Sequence, residues 1–315
     1  MSLPAGARDA RPVGGGDINE AWRVTLADGR AAFVKTRADA TPGEYAAEAT
    51  GLRWLAEPGA LRTPRVLEVG ADYLALEWIE HGRLEEAGAE ELGRGLAATH
   101  AAGAPRFGGP VDPDEEPPRA PARVSAAAER EVGDPAAREA RDSATPARRA
   151  ASFGSLELPN DPAPDWPTFY AERRLRPLAR IAREREALSE SGARAVERVC
   201  ERLDELAGAP EPPARLHGDL WSGNVMADSR GRPWLIDPSA YGGHREVDLA
   251  MLRLFGAPSA RVFAAYEEVA PLAPGWEQRV ELWQLLPLIV HAVLFGGSYR
   301  GAADRIARRY AGAAA

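Results

Sequence analysis

Four stretches among the first eighty residues alternate apolar and polar positions as strands do, and they are residues 21–26, 31–36, 64–69 and 73–79. The first two are separated by Asp28-Gly29, a typical hairpin turn. Residues 44–57 carry apolar side chains at helical spacing, and Pro58 ends that helix. The pattern therefore predicts a small unit in the order strand, strand, helix, strand, strand.

Beyond residue 84 the pattern becomes mainly helical, with predicted helices at residues 90–101, 166–188, 193–206 and from 247 to the C-terminus. Two short strands interrupt it, at residues 224–227 and 233–236, and the polar residues 228–232 between them predict a hairpin. The two patterns together predict an α+β protein with a small N-lobe, residues 1–80, and a larger C-lobe, residues 81–315.

Residues 109–152 fit neither pattern. They contain no aromatic residue, no leucine and no isoleucine, and they are rich in proline, alanine and charge. Such a segment buries too little apolar surface to offset the entropy of ordering it. We interpret it as an inserted linker, disordered or with one marginal helix near residues 125–131.

Charge and composition exclude several classes of protein. The chain has 39 Lys and Arg against 47 Asp and Glu, and this acidic balance argues against a nucleic-acid partner. The single cysteine, Cys200, excludes an internal disulfide framework and fits a reducing compartment. The longest apolar run, residues 285–295, is too short to cross a bilayer, and no signal peptide is visible. We therefore expect a cytoplasmic protein that does not bind a membrane.

The polar side chains with the clearest chemical meaning lie in and after residues 216–224, Leu-His-Gly-Asp-Leu-Trp-Ser-Gly-Asn. Asp219 lies on a loop beside small residues, and Asn224 follows where the chain enters a strand. The hairpin then returns, so that Asp237 ends the partner strand beside Asn224. Amide and carboxylate oxygens suit Mg²⁺, and Asp219 is left to accept a proton from an attacking hydroxyl. An Asx-rich turn explains any one of these residues but not all three at this spacing.

Lys35 is the only lysine, and the other 38 cations are arginines. A compact ammonium can make a tight phosphate contact that a planar guanidinium cannot, and Glu48 on the following helix can hold it in place. A glycine cluster before the first strand, with Gly15, Gly16 and Asp17, can bind anions through its backbone N–H groups, although most glycine runs are simple turns. These features predict a nucleotide phosphate site.

Six features occur in the order found in protein-kinase-like phosphotransferases: the glycine cluster, Lys35, Glu48, Asp219, Asn224 and Asp237. The H-G-D-x-x-x-x-N loop resembles that of small-molecule kinases of the aminoglycoside phosphotransferase type. Two stretches are more specific, HGDLWSGN at residues 217–224 and GHREVDLAM at residues 243–251. They resemble the fructosamine kinase (ketosamine-3-kinase) family, and the resemblance covers nearly the whole chain except the insert.

The resemblance implies a two-lobed protein-kinase-like fold, with a small β-rich N-lobe and a large, mostly helical C-lobe. It also implies an ATP- and Mg²⁺-dependent kinase that phosphorylates the sugar 3-hydroxyl of ketoamines. The acceptor would be a fructosamine or ribulosamine, free or on a glycated protein lysine, and the activity would be one of protein deglycation.

The resemblance also assigns roles at the nucleotide and metal sites. Asp219 would be the general base, and Asn224 and Asp237 would hold Mg²⁺. Lys35 would contact the ATP phosphates while paired with Glu48. The hinge whose backbone meets adenine would consist of Glu77, Trp78 and Ile79.

A second group of residues would support the catalytic loop or the acceptor. Asp248 would buttress the loop, and we expect His217 to orient it by hydrogen bonding. Trp221 would line the sugar pocket, with His244 and Glu246 nearby.

Two rival functions stay open at this point. One is phosphorylation of another small alcohol, such as an aminoglycoside or a choline-like acceptor, because the catalytic residues are shared. The other is a silent nucleotide-binding scaffold whose insert recruits a partner, although Asp219, Asn224 and Asp237 are all intact. The oligomeric state has no signal in the sequence.

Overall fold

The structure is a computed structural model that describes residues 3–14, 19–37, 39–109, 150–256 and 258–312. The first part is an antiparallel sheet of five strands in the spatial order β1-β2-β3-β5-β4: β1 (Arg8–Pro12), β2 (Glu20–Thr25), β3 (Ala31–Thr36), β4 (Val66–Val69) and β5 (Tyr73–Glu77). Four of these strands and the β2–β3 hairpin match the sequence prediction. The edge strand β1 was not predicted, because its residues are mostly exposed and polar and carry no alternating pattern.

One helix, α1 (Glu44–Ala56), covers one face of this sheet. Its buried face includes Tyr45, Ala49 and Leu52, which pack against Leu74 and Leu76 of β5. Gly43 precedes the helix with a left-handed backbone, and Glu44 lies in the first turn, where a carboxylate is favoured. The side chains on one face of β3 and β5 therefore point toward α1.

The rest of the described chain contains nine helices: α2 (Glu86–Ala101), α3 (Trp166–Tyr170), α4 (Arg176–Glu184), α5 (Glu190–Glu201), α6 (Leu203–Leu206), α7 (Glu246–Leu252), α8 (Ala260–Val269), α9 (Trp276–Phe295) and α10 (Ser298–Tyr310). The largest core cluster joins α3, α4, α5, α9 and α10, and a second cluster joins α2, α7 and α8. No helix of the described residues is long and apolar enough to cross a membrane.

Three antiparallel strand pairs lie among these helices, formed by β6 (Ala150–Phe153) with β7 (Leu156–Pro159), β8 (Ala214–Leu216) with β11 (Tyr241–Gly243), and β9 (Val225–Ala227) with β10 (Pro233–Leu235). The β9–β10 hairpin was predicted. Its turn is held by the Asp228 carboxylate, which accepts hydrogen bonds from the backbone N–H groups of Arg230 (2.9 Å) and Arg232 (3.0 Å).

The predicted helix over residues 166–188 is confirmed over residues 166–184, where the chain is helical without interruption but contains a π-helical segment. The chain forms α3, a wider π-helical turn at Ala171–Leu175, and then α4, which ends at Glu184. Pro177 has no N–H group, so the carbonyl of Arg173 loses its helical donor. The Arg174 guanidinium donates to that carbonyl instead, at 3.0 Å. A proline near the start of α4 therefore explains the π-helical segment.

Two further boundaries differ from prediction. The helix predicted at residues 193–206 begins at Glu190, where Ser189 caps it by accepting from the Gly192 N–H (2.9 Å), and it divides before Leu203. The predicted linker ends before residue 152, because Ala150–Phe153 is a strand whose Phe153 joins the main core. The helix predicted near residues 125–131 lies outside the described residues.

Candidate active site

The ammonium of Lys35 lies between two carboxylates. The two-residue repeat of β3 puts Phe33 and Lys35 on one face, and Phe33 packs in the cluster that α1 covers. Lys35 Nζ forms an ion pair with Glu48 on α1 and another with Asp237 Oδ1 at 3.0 Å. Strand register and helix placement therefore bring together three residues that are far apart in sequence.

Burial and the attraction between opposite charges together determine the protonation of Lys35 and Glu48. The side chains of Lys35 and Glu48 are 7% and 12% exposed, whereas that of Asp237 is 48% exposed. Burial alone would lower the pKa of Lys35, but the attraction of Asp237 and Glu48 outweighs it and raises that pKa. Burial raises the pKa of Glu48 to about 7, against the attraction of Lys35. The ammonium is thus always charged, with Asp237 as its solvent-facing partner.

The loop from His217 to Asn224 turns sharply at Gly218. Gly218 has φ 84°, and a Cβ there would lie 2.0 Å from the carbonyl oxygen of Ser239. Only glycine satisfies both the left-handed backbone and this close approach. Asn224 Nδ2 donates to the carbonyl oxygen of Asp219 (2.8 Å) and to Asp219 Oδ2 (3.3 Å), which holds the carboxylate at the mouth of the loop.

The β9–β10 hairpin places the second acidic residue beside this loop. The pairing continues past the strands, because the Ile236 N–H donates to the Asn224 carbonyl at 3.1 Å. Asp237 follows with a left-handed backbone (φ 52°), a strained conformation that is common at functional sites. Burial raises the pKa of Asp219 to about 7, and repulsion from Asp237 adds to this effect. The predicted neighbours Asp219, Asn224 and Asp237 therefore lie together.

The backbone of the loop is anchored by one buried carboxylate. Asp248 at the start of α7 is 1% exposed and accepts from the N–H groups of His217 (2.7 Å) and Gly218 (2.9 Å). It also accepts from His100 Nε2 at 3.2 Å, while His100 Nδ1 accepts from the Tyr266 hydroxyl at 2.8 Å. Burial alone would raise the pKa of Asp248, but the hydrogen bond from His100 and its other donors hold it below its ordinary value.

His217 makes a second set of contacts with the loop. Its Nε2 lies 2.9 Å from the carbonyl oxygen of Ile236, so Nε2 carries the proton, and Nδ1 accepts from the Asp219 N–H at 3.3 Å. Burial lowers the pKa of His217, which favours this neutral ring. The side chain therefore joins the Asp219 loop to the β9–β10 hairpin.

Two residues of this network were not recognised as functional from the sequence. The sequence pattern predicts that His100 is a buried histidine on an apolar helix face, and it is indeed buried. Nothing in the sequence around Tyr266 indicates a functional role. Their partner Asp248 is 148 residues from His100. No local pattern predicts such a contact.

The side chains of His244 and Glu246 make buried contacts with α9. Glu246 is buried and accepts from Arg279 Nε (2.8 Å) and Trp283 Nε1 (2.8 Å), and the His244 ring stacks on Trp283 at 5.6 Å. The Arg279 guanidinium balances the charge of Glu246, since a buried glutamate requires a cationic partner, and the placement of these two residues near a sugar pocket stays a prediction. Trp221, by contrast, is 38% exposed beside the loop.

The segment predicted as a hinge begins with Glu77, the last residue of β5. The Glu77 N–H donates to the Arg65 carbonyl at 2.9 Å, which keeps Glu77 within the sheet. Trp78 Nε1 donates to Glu80 Oε1 at 2.9 Å, and the Ile79 side chain is buried. The segment thus connects the sheet to the helical part. Of the predicted glycine cluster, Gly15, Gly16 and Asp17 lie outside the described residues.

The donor set between the loop and the hairpin fits Mg²⁺. The amide nitrogen of Asn224 is engaged by Asp219, so its oxygen is the atom left to face a cation. Lys35 binds one carboxylate oxygen of Asp237, and the half-exposed side chain leaves the other available. Two oxygen ligands suit a cation that takes its remaining ligands from water and phosphates. No group of three or more His, Cys, Asp or Glu side chains that could hold a metal occurs among the described residues.

A small sheet with a lysine–glutamate pair, followed by a mainly helical part with an Asp–Asn loop and a strand-terminal Asp, defines a protein-kinase-like phosphotransferase. The same fold occurs in the aminoglycoside phosphotransferase APH(4)-Ia, with a TM-score of 0.57 over 98% of this chain and 95% of that chain, at 18% identity. The two-lobed α+β architecture expected from the sequence is thereby confirmed.

The chain belongs to the fructosamine kinase family, whose sequence profile matches residues 4–114 and 147–312. A protein of Synechocystis sp. named as a probable ketoamine kinase is 32% identical over 97% of this chain and 91% of its own length. The crystal structure of a Thermobifida fusca protein given as a candidate fructosamine-3-kinase is 40% identical, with a TM-score of 0.78 over 97% of this chain and 93% of that one. The chain is therefore a phosphotransferase that acts on an alcohol group.

Proposed function

We propose that this protein uses ATP and Mg²⁺ to phosphorylate the sugar 3-hydroxyl of ketoamines, the adducts formed when a sugar glycates an amine or a protein lysine. The observation that carries the proposal is the convergence of Lys35, Asp219, Asn224 and Asp237 from three separate segments, in a chain of the fructosamine kinase family. The names of its relatives support a ketoamine acceptor.

Asp219 accepts the proton of the attacking hydroxyl. Its carboxylate is held by Asn224 and lies near enough to Asp237 for the two negative charges to repel each other. A base with a pKa near neutrality combines a large deprotonated fraction with a useful affinity for the proton. The loop needs no rearrangement to present this carboxylate, because Asp248 and His217 already fix the backbone on either side of it.

Lys35 stabilises negative charge on the phosphates of ATP. Its ammonium is held by Glu48 from behind and by Asp237 from the solvent side, so a phosphate that approaches Asp237 also approaches the ammonium. Asn224 and Asp237 would hold Mg²⁺, which would offset the negative charge of the phosphates. The backbone of Glu77, Trp78 and Ile79 would meet the adenine.

A substrate panel tests the proposal. We expect ADP formation that depends on a fructosamine, a ribulosamine or glycated lysine, with ³¹P and ¹³C NMR placing the phosphate on the sugar O3. An aminoglycoside and choline serve as matched alcohol acceptors. ADP formation with either of these and with none of the ketoamines would contradict the proposed acceptor. Tight ATP binding without transfer to any alcohol would indicate the scaffold function instead.

A further inference from the structure

The arginine that precedes the catalytic loop holds the C-terminal end of α1. The Arg215 guanidinium donates through Nη1 to the carbonyl of Trp54, in the last turn of α1, and to Glu57 Oε2 at 2.8 Å. Its Cζ lies 4.6 Å from the centroid of the Trp54 ring. The last carbonyls of a helix lack partners within the helix and carry partial negative charge, so a cation is favoured there. Arg215 therefore caps a helix end that lies 161 residues earlier in the chain.

The backbone of Arg215 belongs to the strand that leads into the catalytic loop. In β8, Arg215 pairs with Gly242 of β11, and the next residue, Leu216, is fully buried in the main core. Side chains alternate along a strand, so Arg215 points to the opposite face. There its Nε donates to the Gly103 carbonyl, just beyond the end of α2, at 3.3 Å, and its side chain is only 11% exposed. A paired strand and a second helix end therefore fix this arginine.

A second contact brings the middle of α1 against the loop after β10. A Cβ at Gly51 would lie 3.1 Å from Ala240 Cβ and 3.5 Å from Pro238 Cγ. Glycine is a poor helix former, and here the missing side chain lets the helix and the loop approach closely. Trp54, Leu55 and Ala240 form a buried apolar cluster beside this contact. The loop begins at the strand-terminal aspartate of the proposed metal site, so α1 packs directly behind that site.

Both contacts are made by the helix that carries the partner of the lysine. Glu48 lies three residues before Gly51 and six before Trp54, and six residues of a helix span about 9 Å. Glu48 pairs with Lys35, and Lys35 pairs with Asp237 at 3.0 Å. Over this length a helix moves as one body, so a shift at its C-terminal end also moves the Glu48 carboxylate and the ammonium that it holds.

We propose that Arg215 is a positioning residue of the phosphoryl-transfer site. It ties the end of α1 to the strand before the catalytic loop, and it thereby fixes the Lys35 ammonium relative to the Asp219 carboxylate. This inference rests on the proposed ATP site at Lys35 and adds a residue that acts on that site only through α1. A misplacement of about 1 Å lowers a rate by about 10²-fold, so loss of the contact should lower kcat/KM for ATP by about 10- to 100-fold.

The first test removes the hydrogen bonds of Arg215. Arg215→Met keeps an unbranched apolar side chain beside Trp54. We expect weaker ATP binding, measured by calorimetry without an acceptor, and a kcat/KM for ATP lowered by about 10- to 100-fold, while KM for the ketoamine is unchanged. Arg202→Met is the matched control, because Arg202 Nη1 donates to the carbonyl of Tyr310 at the end of α10 at 3.0 Å. Both variants should melt at a lower temperature, and the control should keep wild-type kinetics.

A second pair of variants acts on the same helix and leaves the arginine in place. Gly51→Ala puts a methyl group against Ala240 and should push α1 away from the loop after β10, so it should also lower kcat/KM for ATP. Gly301→Ala is its control, because Gly301 lies in α10 with open space around it, and its kinetics should match the wild type. Alanine favours a helix, so both variants are expected to fold.

ATP binding by the wild type separates failure of this inference from failure of the proposed function. Wild-type kcat/KM for ATP in a folded Arg215→Met enzyme would overturn the inference, and so would an equal loss in Arg202→Met; either result leaves the ketoamine kinase activity intact. If Arg215→Met does not fold, wild-type kinetics of Gly51→Ala would overturn the inference in the same way. If the wild type itself binds no ATP, the proposed function fails and this inference fails with it.

Discussion

The Asp248→Asn variant tests whether Asp248 anchors the catalytic loop for catalysis or only contributes to the stability of the fold. The carboxylate accepts from the His217 N–H, the Gly218 N–H and His100 Nε2. An asparagine keeps one acceptor oxygen and turns an NH₂ group toward at least one of these donors. We therefore expect the loop to shift while the surrounding helices stay in place.

The magnitude follows from the hydrogen bonds that are lost. A buried donor without an acceptor costs about 1–3 kcal/mol, so Asp248→Asn should lower the free energy of unfolding by about 1–3 kcal/mol. Asp248→Ala leaves all three donors without an acceptor and should cost about 3–9 kcal/mol, which a domain of ordinary stability barely tolerates. A displacement of Asp219 by about 1 Å is enough to lower kcat by about 10²-fold.

The assay measures urea unfolding and kcat for the same protein preparations. Asp304→Asn is the matched control, because Asp304 is also buried in a helix and accepts from the Ser189 N–H (3.4 Å) and Arg308 Nη2 (3.4 Å). We expect both variants to lose stability and only Asp248→Asn to lose kcat. A destabilised Asp248→Asn enzyme with wild-type kcat would refute the anchoring argument.

Three further predictions concern Lys35, Gly218 and Cys200. Lys35→Arg should lower kcat/KM for ATP by about 10²-fold, because a planar guanidinium does not fit between Glu48 and Asp237; unchanged steady-state kinetics would contradict this. Gly218→Ala should lower the free energy of unfolding in urea by about 2–4 kcal/mol, because alanine is strained in a left-handed backbone and its Cβ would overlap the Ser239 carbonyl. Gly29→Ala is the control, since Gly29 has φ 86° but open space around it, and it should cost about 1 kcal/mol. Equal losses for the two variants would show that the overlap at Gly218 is relieved. Burial raises the pKa of Cys200 to about 12, so its thiol should react with a disulfide reagent only after unfolding, and rapid reaction of the folded protein would show otherwise.

Local patterns were sufficient to predict the elements that carry the proposed chemistry. The β2–β3 and β9–β10 hairpins follow from alternation and turn residues, and the β9–β10 hairpin by itself brings Asn224 next to Asp237. The position of Lys35 follows from strand periodicity once the helix α1 is assigned to the same face. In each case the determining interactions lie within a few residues or across one hairpin.

Contacts between distant segments were not predictable in the same way. The link from His100 to Asp248 depends on how α2 and α7 pack against each other. The spacing of apolar residues in each helix predicts that helix but not which other helix it contacts. The same applies to Glu246, whose buried ion pair with Arg279 joins α7 to α9. Phe255 and Phe295 each read as ordinary apolar positions until the fold brings their rings to His291.

The proposed base provides the most direct test of the whole account. Asp219→Asn preserves the size of the side chain and removes its ability to accept a proton, so kcat for phosphorylation of a ketoamine should fall by about 10²–10⁴-fold. Urea unfolding should be nearly unchanged, since the Asp219 backbone carbonyl still accepts from Asn224. A kcat within a few-fold of the wild type would contradict the assignment of Asp219 and with it the mechanism proposed for this protein.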